Sequence, residues 1–186
     1  MFETRLHGRG GQGVVTAAEV LSVAAFDEGR YAQAFPSFGS ERMGAPVASF
    51  CRIDDKPIRL REPILDPDAL IIQDTTLLHS VDVFSGLKPD GYVLINSTQD
   101  LDELGIGEFA AQFPAGHVRR VRATELAMKH VGRPLPNAAL LGGFAAVTRL
   151  LNFESVAKAI RKKFPGSIGD ANVAAAREAY DSVLES

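Results

Sequence analysis

The chain has 186 residues, 46% hydrophobic and 23% charged, with a formal net charge of −3 and a mean hydropathy of +0.02. That composition suits a single globular domain over residues 1–186 with one substantial core, and it excludes a disordered or low-complexity protein. Apart from Lys158, Arg161, Lys162 and Lys163, which predict the solvated side of one helix, the basic residues are scattered, so no nucleic-acid face is expected. No apolar segment is long and unbroken enough for a membrane span and Met1 to Arg5 lacks a signal-peptide core, which predicts a cytoplasmic protein. The single cysteine, Cys51, excludes an intrachain disulfide, a four-Cys zinc site or an iron–sulfur cluster on this chain. His7, His79, His117 and His130 show no metal-ligand spacing and are expected in structural or surface roles.

Phe2 to Leu6 reads as a strand, Gly8-Arg9-Gly10-Gly11-Gln12-Gly13 as a glycine-rich turn, and Val14 to Phe26 as a helix that stops at Gly29. Tyr31 to Phe35 follows as a strand ended by Pro36. Val47 to Ile53 and Ile58 to Leu60 are read as two extended runs joined through Asp54-Asp55-Lys56-Pro57, a β-hairpin. Ala69 to Gln73 and Tyr92 to Asn96 are short apolar runs of the kind buried on both faces, with a crossover helix expected over Thr76 to Leu87. Val118 to Val121 is a further strand, and Thr124 to Val131, Asn137 to Leu151, Phe153 to Phe164 and Asp170 to Leu184 read as helices. The order predicts an α/β fold: a Rossmann-like, mixed, mostly parallel sheet with helices on both faces and an inserted β-hairpin. In such sheets ligands sit beyond the carboxyl ends of the strands. A polar crevice is therefore expected between the glycine turn, the Pro36 to Met43 loop, Asp74-Thr75-Thr76 and Asn96-Ser97-Thr98.

Gly8, Gly10 and Gly13 satisfy the G-x-G-x-x-G spacing, and backbone N–H groups at a helix start suit an anion. The acid that a dinucleotide site needs at the end of the second strand is missing, since Phe35 is followed by Pro36-Ser37-Phe38-Gly39-Ser40 and Glu41 comes late. A tight structural turn, contact with another phosphate or carboxylate, contact with a partner chain as part of a non-catalytic scaffold, and NAD or FAD binding by a stand-alone nucleotide-binding protein all stay open. Phe35, Phe38 and Met43 beside Ser37, Ser40, Glu41 and Arg42 mix apolar anchors with hydrogen-bonding groups, as interface hot spots do; a loop folded over its own sheet is the alternative. Arg42 has the chemistry to pair with Glu41 or an internal carboxylate, or to clamp an anion. Asn137, after Pro134 and Pro136, is expected to cap a helix whose Gly142-Gly143 pair suits close approach by another backbone. Cys51, mid-strand among apolar neighbours, reads as a small buried hydrophobe, and no catalytic set is visible.

The run Gly8 to Glu19, the run Ala32-Gln33-Ala34-Phe35-Pro36-Ser37-Phe38-Gly39-Ser40-Glu41-Arg42-Met43-Gly44-Ala45-Pro46-Val47 and the Pro136-Asn137 helix start together resemble the gamma subunit of the 2-oxoacid:acceptor oxidoreductases, the pyruvate:ferredoxin oxidoreductase family. The resemblance covers nearly the whole chain. It implies a complex that decarboxylates a 2-oxoacid on thiamine diphosphate and Mg²⁺, transfers the acyl group to coenzyme A, and passes electrons through [4Fe-4S] clusters to ferredoxin or another acceptor. Alpha, beta and ferredoxin-like delta subunits would hold those cofactors, leaving this chain without its own and inactive alone. By the same resemblance Arg9, Gly10, Gly11, Gln12 and Gly13 lie at the edge of the active-site cavity or coenzyme A channel. Phe35, Pro36, Ser37, Phe38, Ser40, Glu41, Arg42, Met43 and Asn137 are then expected at subunit contacts.

Overall fold

The computed structural model describes residues 1–37 and 42–186; Phe38, Gly39, Ser40 and Glu41 lie outside the described residues. The elements in chain order are β1 (Phe2–Arg9), α1 (Val14–Asp27), β2 (Tyr31–Pro36), β3 (Pro46–Asp54), β4 (Ala69–Ile72), a 3-10 helix (Thr75–His79), β5 (Tyr92–Asn96), α2 (Gly107–Ala110), β6 (Val118–Val121), α3 (Ala123–His130), α4 (Asn137–Thr148), α5 (Phe153–Lys163) and α6 (Ser167–Glu185). One six-stranded sheet has the order β2-β3-β1-β4-β5-β6. β1, β4, β5 and β6 run parallel. β3 lies antiparallel between β1 and β2.

The parallel half is apolar on both faces because it is covered on both. Every residue of β4 is buried, as are Val93, Leu94 and Ile95 of β5, the continuous pattern such strands require. Alternation then divides two cores. Leu6, Cys51, Ile53, Ile71, Leu94 and Val121 face a thick layer built from α1, α4, α5 and α6. Leu70, Ile72, Val93, Ile95 and Val118 face a thin layer with Leu77, Val83, Phe84, Leu104 and Phe113, supplied by the 3-10 helix, α2 and their loops. Helices thus lie on both faces, but unequally.

Two expected elements do not form as read. The run Ile58 to Leu60 is not a strand. β3 already has β1 on one side and β2 on the other, so the inserted antiparallel hairpin is β2–β3 and the later run finds no open side of β3. The expected helix over Thr76 to Leu87 survives only as the 3-10 turn to His79. Beyond it, Val83 and Ser85 turn their carbonyls to Arg5 of β1, at 3.0 and 2.6 Å. The same guanidinium donates to the carbonyls of Ile64 and Leu65 at 3.2 and 3.4 Å. Gly86, with φ of 74°, lies so near the Leu65 carbonyl that a Cβ would stand 1.9 Å from its oxygen. Arg5, 8% exposed, therefore pins both segments to the sheet where a helix would have consumed the same carbonyls.

α4 is the centre of the thick layer, with every residue from Asn137 to Ala146 buried. Gly142 lets it approach α6 closely: a Cβ there would lie 1.9 Å from the carbonyl oxygen of Ala176, whereas one at Gly143 would meet only a Leu94 methyl at 3.0 Å. The expected backbone contact at the glycine pair is thus made, by Gly142. α4 stops at Arg149 in a left-handed conformation, φ 53°, so it is shorter than the Asn137 to Leu151 run. The basic cluster of α5 is solvated as expected and pairs across to Asp27, Glu19 and Asp170.

Gly142→Ala is expected to lower stability by about 1–3 kcal/mol despite its better helix propensity. Gly143→Ala should stay within about 1 kcal/mol of the parent because a side-chain methyl can move. Urea midpoints of the two variants check this; equal losses would deny the close α4–α6 approach.

Candidate functional site

β1 is the strand where the chain changes direction across the sheet: α1 leads to β2 and β3 on one side, and β4 follows on the other. The crevice expected at such a point opens beyond the carboxyl ends of β1 and β4. Gly8 and Arg9 still belong to β1, opposite Val47 and Pro46 of β3, so the strand is longer than the Phe2 to Leu6 run and the turn proper is Gly10 to Gly13. Positive φ occurs at Gly11 and Gly13, and not at Gly10. Gly10 is required instead for closeness: a Cβ would lie 2.1 Å from the Arg42 carbonyl oxygen. Its N–H donates to the Ala45 carbonyl at 2.9 Å and its own carbonyl accepts from Gly44 at 3.1 Å. The glycine turn and the 42–45 segment are thus locked backbone to backbone.

Side chains extend the lock. Arg9 donates to the Thr76 hydroxyl from Nε and Nη2 at 3.1 and 2.9 Å and to the Gly44 carbonyl at 3.0 Å, and it stands 3.4 Å from Asp74. Gln12 accepts from the Arg9 N–H at 2.8 Å and donates to Asp74 at 2.8 Å. Burial works to raise the Asp74 carboxyl, but donors from Thr76 and Gln12, with Arg9 nearby, hold it below the ordinary carboxylate range. Gln73 donates to the Gln12 carbonyl at 2.9 Å while its buried Oε1 accepts nothing from the described residues. Gln12, Gln73 and Asp74 line the polar crevice, about 370 Å³, with Asn96, Ser97, Thr98 and Thr124. Asn96 is fixed by donating to the Gln73 carbonyl and the Thr124 hydroxyl.

A second groove, about 520 Å³, lies on the other side of the turn and carries a different chemistry. Gly13 caps α1 without any side-chain hydrogen bond, so the first-turn N–H groups keep their partial positive charge. Around them stand Asn137, Arg133 and Lys163, with Leu135, Phe164 and Ile168 as apolar wall. Asn137 is not the expected cap: Pro136 holds that position. The Asn137 Oδ1 accepts from Ala138 at 3.0 Å, and its Nδ2 lies against Gly13, where a Cβ would come within 2.5 Å.

The remaining site residues fall into three groups. Phe35 packs on its own sheet, its ring 5.0 Å from Phe50 and beneath the Arg52 guanidinium at 5.4 Å. Pro36, Arg42 and Met43 are exposed, Met43 at 85%, and Ser37 donates its N–H to Ala48 at 2.9 Å. Phe38, Ser40 and Glu41 fall outside the described residues. Arg133 was missed by sequence reasoning, because a single arginine between Gly132 and Pro134 carries no pattern.

The dinucleotide alternative loses its geometry here. The strand beside β1 on the β2 side is β3, which runs antiparallel and places Pro46 opposite Arg9, so among the described residues no acid sits where a ribose would lie. Nor do the residues fit a metal or a cluster: Cys51 is wholly buried, its thiol pushed up to about 12 by that burial. No three His, Cys, Asp or Glu side chains converge among the described residues.

Residues 3–182 match the family described as pyruvate ferredoxin/flavodoxin oxidoreductase. The chain belongs to this family. The pyruvate synthase subunit PorC of Methanothermobacter marburgensis is 49% identical to it over 186 residues, covering 100% of this chain and 99% of the relative. The pyruvate/ketoisovalerate oxidoreductases common subunit gamma of Thermococcus kodakarensis is 47% identical over 184 residues, with coverage of 99% and 98%. The crystal structure of the pyruvate oxidoreductase subunit PORC from Thermotoga maritima matches with a TM-score of 0.81 at 36% identity, covering 97% of this chain and 95% of that one. Within the family this chain is a gamma-type subunit, as its two long motifs imply.

Beneath the glycine turn of this gamma-type chain sits His7. Its carbonyl accepts from Gln73 at 2.8 Å and its Nε2 accepts from Arg5 Nε at 2.9 Å. Burial, reinforced by the Arg5 charge, lowers His7 from the ordinary 6.5 to about 4. The folded state therefore binds fewer protons than the unfolded chain between those values. Its stabilising contribution is complete above pH 6.5 and is lost as pH falls through 4, on the order of 3 kcal/mol in all. His7→Gln, which keeps an acceptor for Arg5, is expected to flatten the fall in stability between pH 6.5 and 4; denaturant titrations with an unchanged pH slope would remove His7 from the account.

Proposed function

We propose that this chain is the gamma subunit of a thiamine-diphosphate and iron–sulfur dependent 2-oxoacid:acceptor oxidoreductase that decarboxylates a 2-oxoacid and delivers the acyl group to coenzyme A. Ferredoxin or another acceptor takes the electrons through the complex. The alpha, beta and delta subunits hold thiamine diphosphate, Mg²⁺ and the [4Fe-4S] clusters; this chain contributes no catalytic residue and is inactive alone. The three relatives that match it nearly end to end, each named for pyruvate, support that assignment.

The contribution of the chain itself rests on one observation, the uncapped start of α1 facing the groove of Arg133, Lys163 and Asn137. Backbone N–H groups, a helix dipole, two cations and an amide donor around an apolar wall suit a phosphate-bearing cosubstrate with an apolar arm. Coenzyme A has that chemistry. In this reading Gly11 and Gly13 shape the rim, while Arg9, Gly10 and Gln12 hold the rim in place. Met43, Arg42 and the neighbouring Pro36 and Ser37 form the contact with the larger subunits.

A pure scaffold is the second reading, favoured by the internal use of Arg9, whose donors are committed to Thr76 and Gly44. The two separate in the holoenzyme. Arg133→Ala should leave the complex assembled and kcat within about twofold, and raise KM for coenzyme A about tenfold, the loss of one charge-assisted contact. An unchanged KM in an intact complex favours the scaffold; a complex that fails to assemble moves Arg133 to the subunit interface.

A further inference from the structure

β6 forms one edge of the sheet, paired on its inner side to β5 from Val93↔Val118 to Asn96↔Val121. The ends of that ladder are the Val93 N–H to His117 carbonyl bond at 2.8 Å and the Ser97 N–H to Val121 carbonyl bond at 3.0 Å. In a parallel pair alternate residues of a strand direct both backbone groups toward the same neighbour. Arg119 and Val121 therefore face β5, and the N–H and C=O of Val118 and Arg120 point outward. Neither residue makes another backbone bond among the described residues.

Along this open edge runs a groove of about 600 Å³. Its floor is the whole of β6. Leu126, Lys129 and Ser182 of α3 and α6 form one wall, and Asp100 and Leu101 the other. The groove is shaped for an extended chain lying beside β6. Its lining sets Arg119, Arg120, Arg122 and Lys129 against Asp100, Glu125 and Glu178, a small cationic excess. Arg122 is paired with Glu125 and Lys129 with Glu178, whereas Arg119 and Arg120 have no carboxylate partner among the described residues. Val121 belongs to the helix-covered core and Val118 to the opposite one, so by alternation Arg119 lies on the helix side and Arg120 on the other. The edge carries one uncompensated cation on each face.

Charged residues on an edge strand discourage indiscriminate pairing. A second copy of β6 would set these arginines against themselves, and like charges opposite one another destabilise a strand pair. An acidic strand meets the opposite situation. We infer that the β6 edge accepts, as a seventh strand of the sheet, an extended segment of another subunit of the complex that carries carboxylates at adjacent positions, one for each face. The segment supplies backbone partners to Val118 and Arg120 and carboxylates to Arg119 and Arg120, the strand-addition mode of recognition. This rests on the gamma-subunit assignment.

Residue-resolved hydrogen exchange on the holoenzyme and on the free full-length chain reads the contact directly. Arg119 and Val121 amides, held by β5, should be protected in both; Val118 and Arg120 amides should exchange freely in the free chain and at least about tenfold more slowly in the complex. Arg119→Glu with Arg120→Glu should lower co-purification of the partner about tenfold or more, and reversing the acidic pair on the segment that cross-links to β6 should restore it. An intact complex in which Val118 and Arg120 exchange as in the free chain overturns the docking while leaving the subunit assignment standing. Cross-links joining β6 to a second copy of itself overturn it as well. A chain that assembles with no larger subunit overturns both.

Discussion

The Arg5 guanidinium organises the thin side of the molecule. A charge buried within a sheet is tolerated only when its donors are satisfied. Arg5 satisfies them with the His7 ring and carbonyls from two distant segments, around Ile64 and around Val83 to Ser85. Asp82 and Asp66 oppose the lowering of its pKa by burial. In return the loops that cover this face of the sheet need no regular structure of their own, because their carbonyls already have a donor. The thin layer of 3-10 helix, short α2 and loops follows from that exchange, and so does the neutral state of His7, which a second cation beside Arg5 would disrupt.

The glycine turn shows how a familiar spacing can serve another purpose. Glycines at 8, 10 and 13 sit where a dinucleotide site would have them, yet each is needed here for contact within the chain: Gly8 against the first residue of α1, Gly10 against the Arg42 carbonyl, Gly13 against Asn137. What the turn leaves available is the start of α1 itself. The antiparallel β3 beside β1 blocks the ribose side of the crevice, and Arg133 and Lys163 reach the other side from the thick layer. The two grooves flanking the turn consequently differ in chemistry, one acidic and amide-rich around Asp74, the other cationic with an apolar wall.

Much of this was legible in the sequence because the strands β1, β2, β4, β5 and β6 are short runs bounded by turn residues, α5 and α6 carry clear apolar periods, and α1 and α4 are long apolar runs bounded by glycine or proline. The pairing of β3 was not, since hydrophobic pattern says which residues are extended but not which edge is already taken. The run Thr76 to Leu87 has helical spacing locally, and the distant donor that claims its carbonyls leaves no trace in that segment; Gly86 was the one available warning. At the site, the turn and Asn137 were visible as motifs, but their roles depended on neighbours from elsewhere in the chain. Arg133 and the paired Arg119 and Arg120 gain meaning only from the walls around them.

The burial of α4 on every side has a consequence for how the chain is made. A helix apolar all round cannot rest on a sheet with one flank exposed to water, and its last flank is closed by α6, which runs to Glu185. Synthesis delivers the sheet first, then α4, α5 and α6 in turn. The nascent chain therefore holds its most apolar helix without its final cover until α6 has been made, and during that interval the exposed surface depends on chaperone protection or on the speed with which α6 docks.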